Sequence, residues 1–237
     1  MNKQDRWQKI LKLTQEKNKV SSEEIQKECH TSIATVRRDL QQMEDLQLIQ
    51  RYHGGAMCMT QVDELPMLYK SSENISEKIQ IARKAASKIR NNQTIYIDAG
   101  STTFEMIPYI HSKNITIVTI GIPHLNALMN KNIQTFVLPG IVRKSTEAIT
   151  GAKTLEYLDH FYFDCAFLGT NGIHEKAGIT TTNDWEAAVK EKVIHRCSQA
   201  YILADSTKFN KIYPIKYADL DDVICISEIQ PFPMRYF

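Results

Sequence analysis

The sequence predicts an α/β chain in two parts: a small helical module with a β-hairpin at the N-terminus, then a larger domain on a mainly parallel sheet. Three observations predict it. Helical periodicity dominates up to residue 58. From residue 75 onward short β-branched runs alternate with helical stretches. Between them Met57 to Ser76, which includes Pro66, is polar and aperiodic. The expected division is a first domain over 1–57, a linker over 58–75 and a second domain over 76–237.

Composition narrows the class. With 237 residues, 43% apolar and 24% charged, the chain is an ordinary globular protein, which excludes collagen-like, coiled-coil and disordered types. The net charge is only +2, and the excess lies within residues 1–58, so any nucleic-acid site must be local. Five scattered cysteines without a C-x-x-C pair indicate reduced thiols in a cytoplasmic protein rather than disulfides or zinc. No signal-peptide core and no run of about 18 apolar residues is present, so no membrane role is expected. No cofactor or metal motif occurs.

In the first module, residues 5–14 form an amphipathic helix with Trp7, Ile10, Leu11 and Leu13 inward, ended by the polar turn Lys17-Asn18-Lys19. Ser21 and Glu24 have capping-box spacing and start a second helix through Cys29. After a turn at His30-Thr31, Ser32 caps a third helix whose Ile33, Val36, Leu40 and Met43 recur at 3, 4 and 3 residues. Arg38 lies opposite that stripe, flanked by Ala34, Thr35, Gln41 and Gln42, with Arg37 at the side. Arg reads guanine and Gln reads adenine in the major groove, so this face suits DNA, although a paired arginine face is also common as plain solvated surface. Leu48 to Tyr52 and Ala56-Met57 around His53-Gly54-Gly55 read as a two-stranded wing. Three helices and a wing make a winged helix-turn-helix. On this reading Ser32 to Leu46 enters the major groove, while Arg51, His53 and Gly54 bring the wing to the backbone or minor groove.

In the second domain, runs at 94–97, 115–119, 135–138, 165–168, 201–204 and 223–226 are short, apolar and β-branched, and read as buried strands. Helical stripes lie between them, such as Ala82, Ala85, Ala86 and Ile89, and a helix over Asp184 to Arg196 capped by Asn183 with Glu186 three residues on. Open parallel sheets bind ligands beyond the carboxyl ends of their strands. Three polar loops fall there. Asp98-Ala99-Gly100-Ser101-Thr102-Thr103 opens a helix, with Thr102 and Glu105 at capping-box spacing and backbone amides fit to nest a phosphate. The same residues would also serve a plain strand-to-helix turn. Gly169-Thr170-Asn171-Gly172 and Asp205 to Phe209 follow two other strands, and Lys208 supplies a charge for phosphate. Asp98 is placed to bind sugar hydroxyls. His124, His174 and His195 show no dyad spacing and are expected at the surface.

Thr35-Val36-Arg37-Arg38-Asp39-Leu40, then Glu44 and Arg51-Tyr52-His53-Gly54-Gly55-Ala56, resemble the helix and wing signature of the DeoR family of bacterial transcriptional regulators. The likeness extends to Glu77-Lys78, Ile81-Ala82, Glu147 to Gly151, Gly178 to Thr182 and Lys190. It departs at Gln47 and Pro139, where the family usually has glycine, and at Ile120, where it commonly has asparagine. The resemblance implies a second domain related to ribose-5-phosphate isomerase. It also implies double-stranded operator DNA and a phosphorylated sugar as partners, repression of sugar uptake or catabolism genes, and a homodimer or homotetramer. Two alternatives remain: a second domain that only oligomerises, and an active isomerase using Asp98, Asp164 or Glu175 as base. Against turnover, the isomerases carry acidic residues where this chain has Asn171 and Gly172.

Overall fold

The computed structural model describes residues 1–45, 48–58, 70, 71, 73–231 and 233–237, in two compact units, Met1–Ser72 and Glu73–Phe237. Of the expected linker, Cys58 belongs to a strand and Ile75 begins a helix, while 59–69 and 72 lie outside the described residues, as does Gln47.

The first unit runs α1 (Lys3–Lys17), β1 (Lys19–Ser21), α2 (Ser22–Cys29), α3 (Ile33–Asp45), β2 (Ile49–Tyr52) and β3 (Gly55–Cys58). The first helix is longer than its apolar pattern predicts, because Asn2 caps it through Asp5 N and left-handed Asn18 ends it. The wing is a three-stranded sheet in the order β1-β3-β2 rather than a hairpin alone. Lys19–Ser21 carries only one apolar residue, Val20, too little to signal a strand, yet it pairs with Gly55–Met57. A Cβ on Gly55 would lie 2.2 Å from Val20 O, so this close pairing requires glycine. Trp7, Ile10, Leu11, Leu13, Val36, Leu40 and Met43 form the core with Val20, Ile25 and Ala56.

The second unit contains α4 (Ile75–Ala86), β4 (Thr94–Ile97), α5 (Ser101–Met106), β5 (Thr116–Thr119), α6 (Ile122–Asn130), β6 (Gln134–Val137), β7 (Ile141–Arg143), β8 (Ala148–Thr150) and α7 (Ala152–Leu158). It continues with β9 (Cys165–Gly169), β10 (Gly172–His174), β11 (Gly178–Thr181), α8 (Asp184–His195), β12 (Ala200–Leu203), β13 (Ile215–Ala218) and β14 (Ile224–Ile226). Six strands form one parallel sheet in the order β14-β12-β9-β4-β5-β6. Successive residues of a strand point to opposite faces. Ile95 and Ile97 of β4 therefore join α4 and α5 in one core, while Tyr96 joins α8 and the small β10-β11-β13 sheet in the other.

Three sequence expectations fail here. The strand at 135–138 is buried only at Leu138, because β6 is the sheet edge and Phe136 and Val137 are each 42% exposed. No capping box forms at Thr102, because the helix is capped two residues earlier, on Gly100, without a side-chain cap. His124 is fully buried, its ring edge-on to Phe104 at 5.6 Å.

Candidate nucleic-acid interface and effector site

On α3 the apolar stripe holds the helix to the core and leaves Arg37, Arg38 and Gln41 exposed, with Thr35 and Gln42 half-exposed. Ser32 caps the helix, its Oγ accepting from Thr35 N at 3.2 Å. Asp39 sits within the stripe, 3% exposed, and pairs with Arg6 Nε at 2.7 Å, which ties α1 to α3. An acid between Val36 and Leu40 was the sequence signal for that tie.

The wing is held beside this helix by named bonds. Ser22 N donates to Gly54 O at 2.7 Å. Arg51 N donates to Glu44 Oε1 at 3.1 Å, and the Arg51 guanidinium donates to Gln41 Oε1. Exposed His53 and Gly54, with φ +103°, form the tip. Helix and wing enclose a groove of about 740 Å³ lined in part by Ile33, Arg37, Arg51 and His53. All nine residues expected to meet DNA thus lie on α3, its cap and the wing; Gln41 and Arg51 are already bonded to each other.

In the second unit the three polar loops follow β4, β9 and β12, three adjacent parallel strands, and so share one edge of the sheet. Asp98 is fully buried at the end of β4. Its Oδ2 accepts from Gly169 N at 3.0 Å and from Lys190 Nζ at 2.5 Å, while its Oδ1 is buried with no partner among the described residues. Lys190 is itself buried; burial lowers its pKa, but Asp98 and Glu186 raise it further, so it stays above the ordinary lysine range and charged. Glu186, one turn earlier on α8, accepts from Thr146 Oγ1 at 2.7 Å and lies 3.7 Å from Arg143 Nε. The α8 cap is Asn183, accepting from Glu186 N.

The other expected residues divide by how they are used. Ser101 and Thr102 open α5, whose first amides have no intrahelical acceptor. Thr103 Oγ1 lies 2.7 Å from Asp98 O and 2.9 Å from Gly100 O and gives its one proton to either, so its hydroxyl serves the turn itself. Thr170 Oγ1 donates to Thr180 O, and Asn171 Oδ1 accepts from Thr181 Oγ1 at 2.7 Å, joining the second loop to β11. Lys208 is half-exposed on a 3-10 turn after β12, two strands from Asp98. Sequence reasoning gave Glu186 only a helix-capping place, named Lys190 only within the family likeness, and passed over Arg143. Their signal was Glu186 and Lys190 four apart on the buried side of a helix with Ala187 and Val193.

The candidate bases do not converge. Asp164 accepts from Thr94 N, which begins β4 and so lies at the opposite edge of the sheet. Glu175 is exposed in the turn after β10, and Asp98 is held by Lys190. Ile120 is fully buried, and Thr154 Oγ1 donates to Pro139 O at 2.7 Å.

Residues 6–62 match the DeoR-like helix-turn-helix domain, and residues 73–227 match the DeoR C terminal sensor domain. The chain belongs to the DeoR family. It is thus a DNA-binding transcriptional regulator, and the DeoR family is one of regulators rather than enzymes. An uncharacterized HTH-type transcriptional regulator of Bacillus subtilis, FruR, is 39% identical over 94% of this chain and 90% of its own length. A lactose phosphotransferase system repressor of Staphylococcus epidermidis is 32% identical over 89% of this chain and 86% of its own. Ribose 5-phosphate isomerase from Plasmodium falciparum aligns over 56% of this chain and 52% of that one, at 19% identity and a TM-score of 0.42. Among the described residues of this DeoR-family chain, no helix is long and apolar enough to cross a membrane, and no group of side chains is arranged to hold a metal.

Proposed function

We propose that the protein is a repressor of sugar uptake or catabolism genes whose affinity for double-stranded operator DNA is set by a phosphorylated sugar. The observation that carries the effector half is the buried Asp98–Lys190 pair with its unpartnered Oδ1, at the edge where three polar loops meet. A buried carboxylate oxygen without a donor is costly unless something supplies one, and a sugar hydroxyl does so. The amides of Ser101 to Thr103 receive the phosphate, Lys208 adds charge, and the loop from Gly169 to Asn171 closes the site. The relative that is a lactose phosphotransferase system repressor supports both the sugar class and the sign of regulation.

On the DNA side, α3 enters the major groove through Ser32, Thr35, Arg37, Arg38, Gln41 and Gln42, while Arg51, His53 and Gly54 meet backbone. The Arg51–Gln41 bond opens as each finds its nucleic-acid partner. A homodimer or homotetramer brings two such helices to a repeated or palindromic site. The effector acts only through unequal affinity for the two states; a coupling of about 1–3 kcal/mol changes operator affinity roughly 5- to 150-fold.

Two experiments test this. Replacing Arg38 with Ala weakens specific operator binding by about 1–3 kcal/mol and relaxes discrimination. Equal preference for operator over random DNA in variant and parent removes Arg38 from base reading. A thermal-shift screen against sugar mono- and diphosphates raises the melting temperature for the effector class, and that ligand then changes operator retention in a gel-shift assay. Lys208→Ala abolishes the response while leaving DNA binding intact. No shift with any phosphorylated sugar, in protein that binds its promoter, overturns the effector half.

A further inference from the structure

Strands of a parallel sheet are covered on both faces, and natural edge strands are blunted by proline, lysine or a bulge. Strand β6 has none of these and, among the described residues, pairs on one side alone: Gln134 is exposed, and Phe136 and Val137 are each 42% exposed. The chain then turns into β7, where Ile141 is 76% and Val142 56% exposed. Helix α7 joins the two. Thr154 holds Pro139 O of the intervening turn, and the exposed Tyr157 ring stands 6.1 Å from Phe161, which packs on Phe136 at 5.7 Å.

Three properties of this surface suit a second copy of the chain. Residues 134–142 contain no charged side chain, so a two-fold axis through them opposes no like charges. The exposed parts of Phe136, Val137, Ile141, Val142 and Tyr157 amount to roughly 500 Å² of surface, the larger share of the about 800 Å² per partner of a stable interface. A free strand edge is also self-complementary: two copies meet antiparallel about a two-fold and close, without leading to fibres.

We propose that this face is the dimer interface of the protein, with β6 pairing antiparallel to β6 of a second copy and β7 and α7 flanking the seam. The choice of a second copy rests on the DNA-reading role, since each chain carries one reading helix and a two-fold operator needs two. The geometry of the seam follows from the ladder. Leu138 N donates to Thr119 O on β5, so by alternation Gln134 and Phe136 face β5, and the amides of Thr135 and Val137 face outward.

The test measures the mass of the full chain by light scattering after size exclusion at micromolar concentration, without DNA. The parent runs as a dimer or a multiple of one. Val137→Pro removes an outward amide without touching the β5 ladder, and Ile141→Lys with Val142→Lys charges the flank at exposed positions. Each raises the dimer dissociation constant at least tenfold, while the double-lysine variant keeps the parent's thermal unfolding of secondary structure. A monomeric parent overturns the interface, as does a folded double-lysine variant of parental mass. A Val137→Pro chain of parental mass overturns the strand seam. Because the readout is mass alone, loss of operator binding in a dimeric parent would count against the DNA reading and not against this surface.

Discussion

Replacing Lys190 with Met destabilises the sensor domain by about 3–5 kcal/mol, the cost of leaving a buried carboxylate without its partner. The side chains of Lys190 and Asp98 are 4% and 0% exposed, and Asp98 Oδ1 already lacks a partner among the described residues. Among the described residues, removing the ammonium leaves only Gly169 N on the other oxygen. Replacing both residues, Asp98→Asn with Lys190→Met, recovers most of the loss, because the charge that needed solvation is gone. The denaturant midpoint of the full chain, followed by a probe in the second unit, reads both variants. A single-variant cost below about 1 kcal/mol would show that water reaches Asp98 freely. The pH sign is fixed too: with its pKa raised, Lys190 contributes fully at neutral pH and loses that contribution only as pH rises beyond the ordinary lysine range. If the proposed phosphorylated sugar binds against Oδ1, adding it widens the gap between parent and single variant.

What the sequence made legible follows from which interactions are periodic. The strand at Thr94–Ile97 and the apolar stripe of α3 repeat at fixed spacing, so pattern alone places them. β1, β7 and β8 have three residues each, too short for a pattern, and form because a partner strand already lies beside them. Edge position is likewise invisible locally: Thr135 to Leu138 reads like the central strands, and only the sheet order exposes it. The polar loops after β4, β9 and β12 were readable as loops, and their common edge follows from parallel topology. The charges behind them were not, because Lys190 meets Asp98 across 92 residues, and Glu186 meets Thr146 across 40. His124 was misplaced at the surface because histidine is polar by type; its burial depends on Thr103, 21 residues away.

Acid weakens the domain through that same histidine. Thr103 has one hydroxyl proton, and Asp98 O and Gly100 O lie nearer to it, at 2.7 and 2.9 Å, than His124 Nε2 at 3.2 Å; with the proton assigned to a carbonyl, Nε2 is assigned as the donor between the two side chains. The proton therefore sits on Nε2, and Nδ1 is bare, buried and without a partner among the described residues. It faces the backbone of Gly121, where an added Cβ would lie 2.4 Å away. Protonating Nδ1 puts a cation in that enclosure, and burial pushes the pKa from 6.5 down to about 4. In the unfolded chain the ring binds its proton near 6.5, so stability is complete above that pH and falls as pH drops from 6.5 toward 4. The expected loss from this group is about 3 kcal/mol. His124→Gln keeps an N–H for Thr103 but cannot titrate, so its stability falls less between pH 7.5 and 4.5, by about 2–3 kcal/mol. Carboxylates titrate in both proteins and cancel in that difference. Parallel acid profiles for parent and variant would place the proton elsewhere; a divergence confined to this window ties the fold's acid sensitivity to the turn from Asp98 to Thr103, where the effector phosphate is proposed to sit.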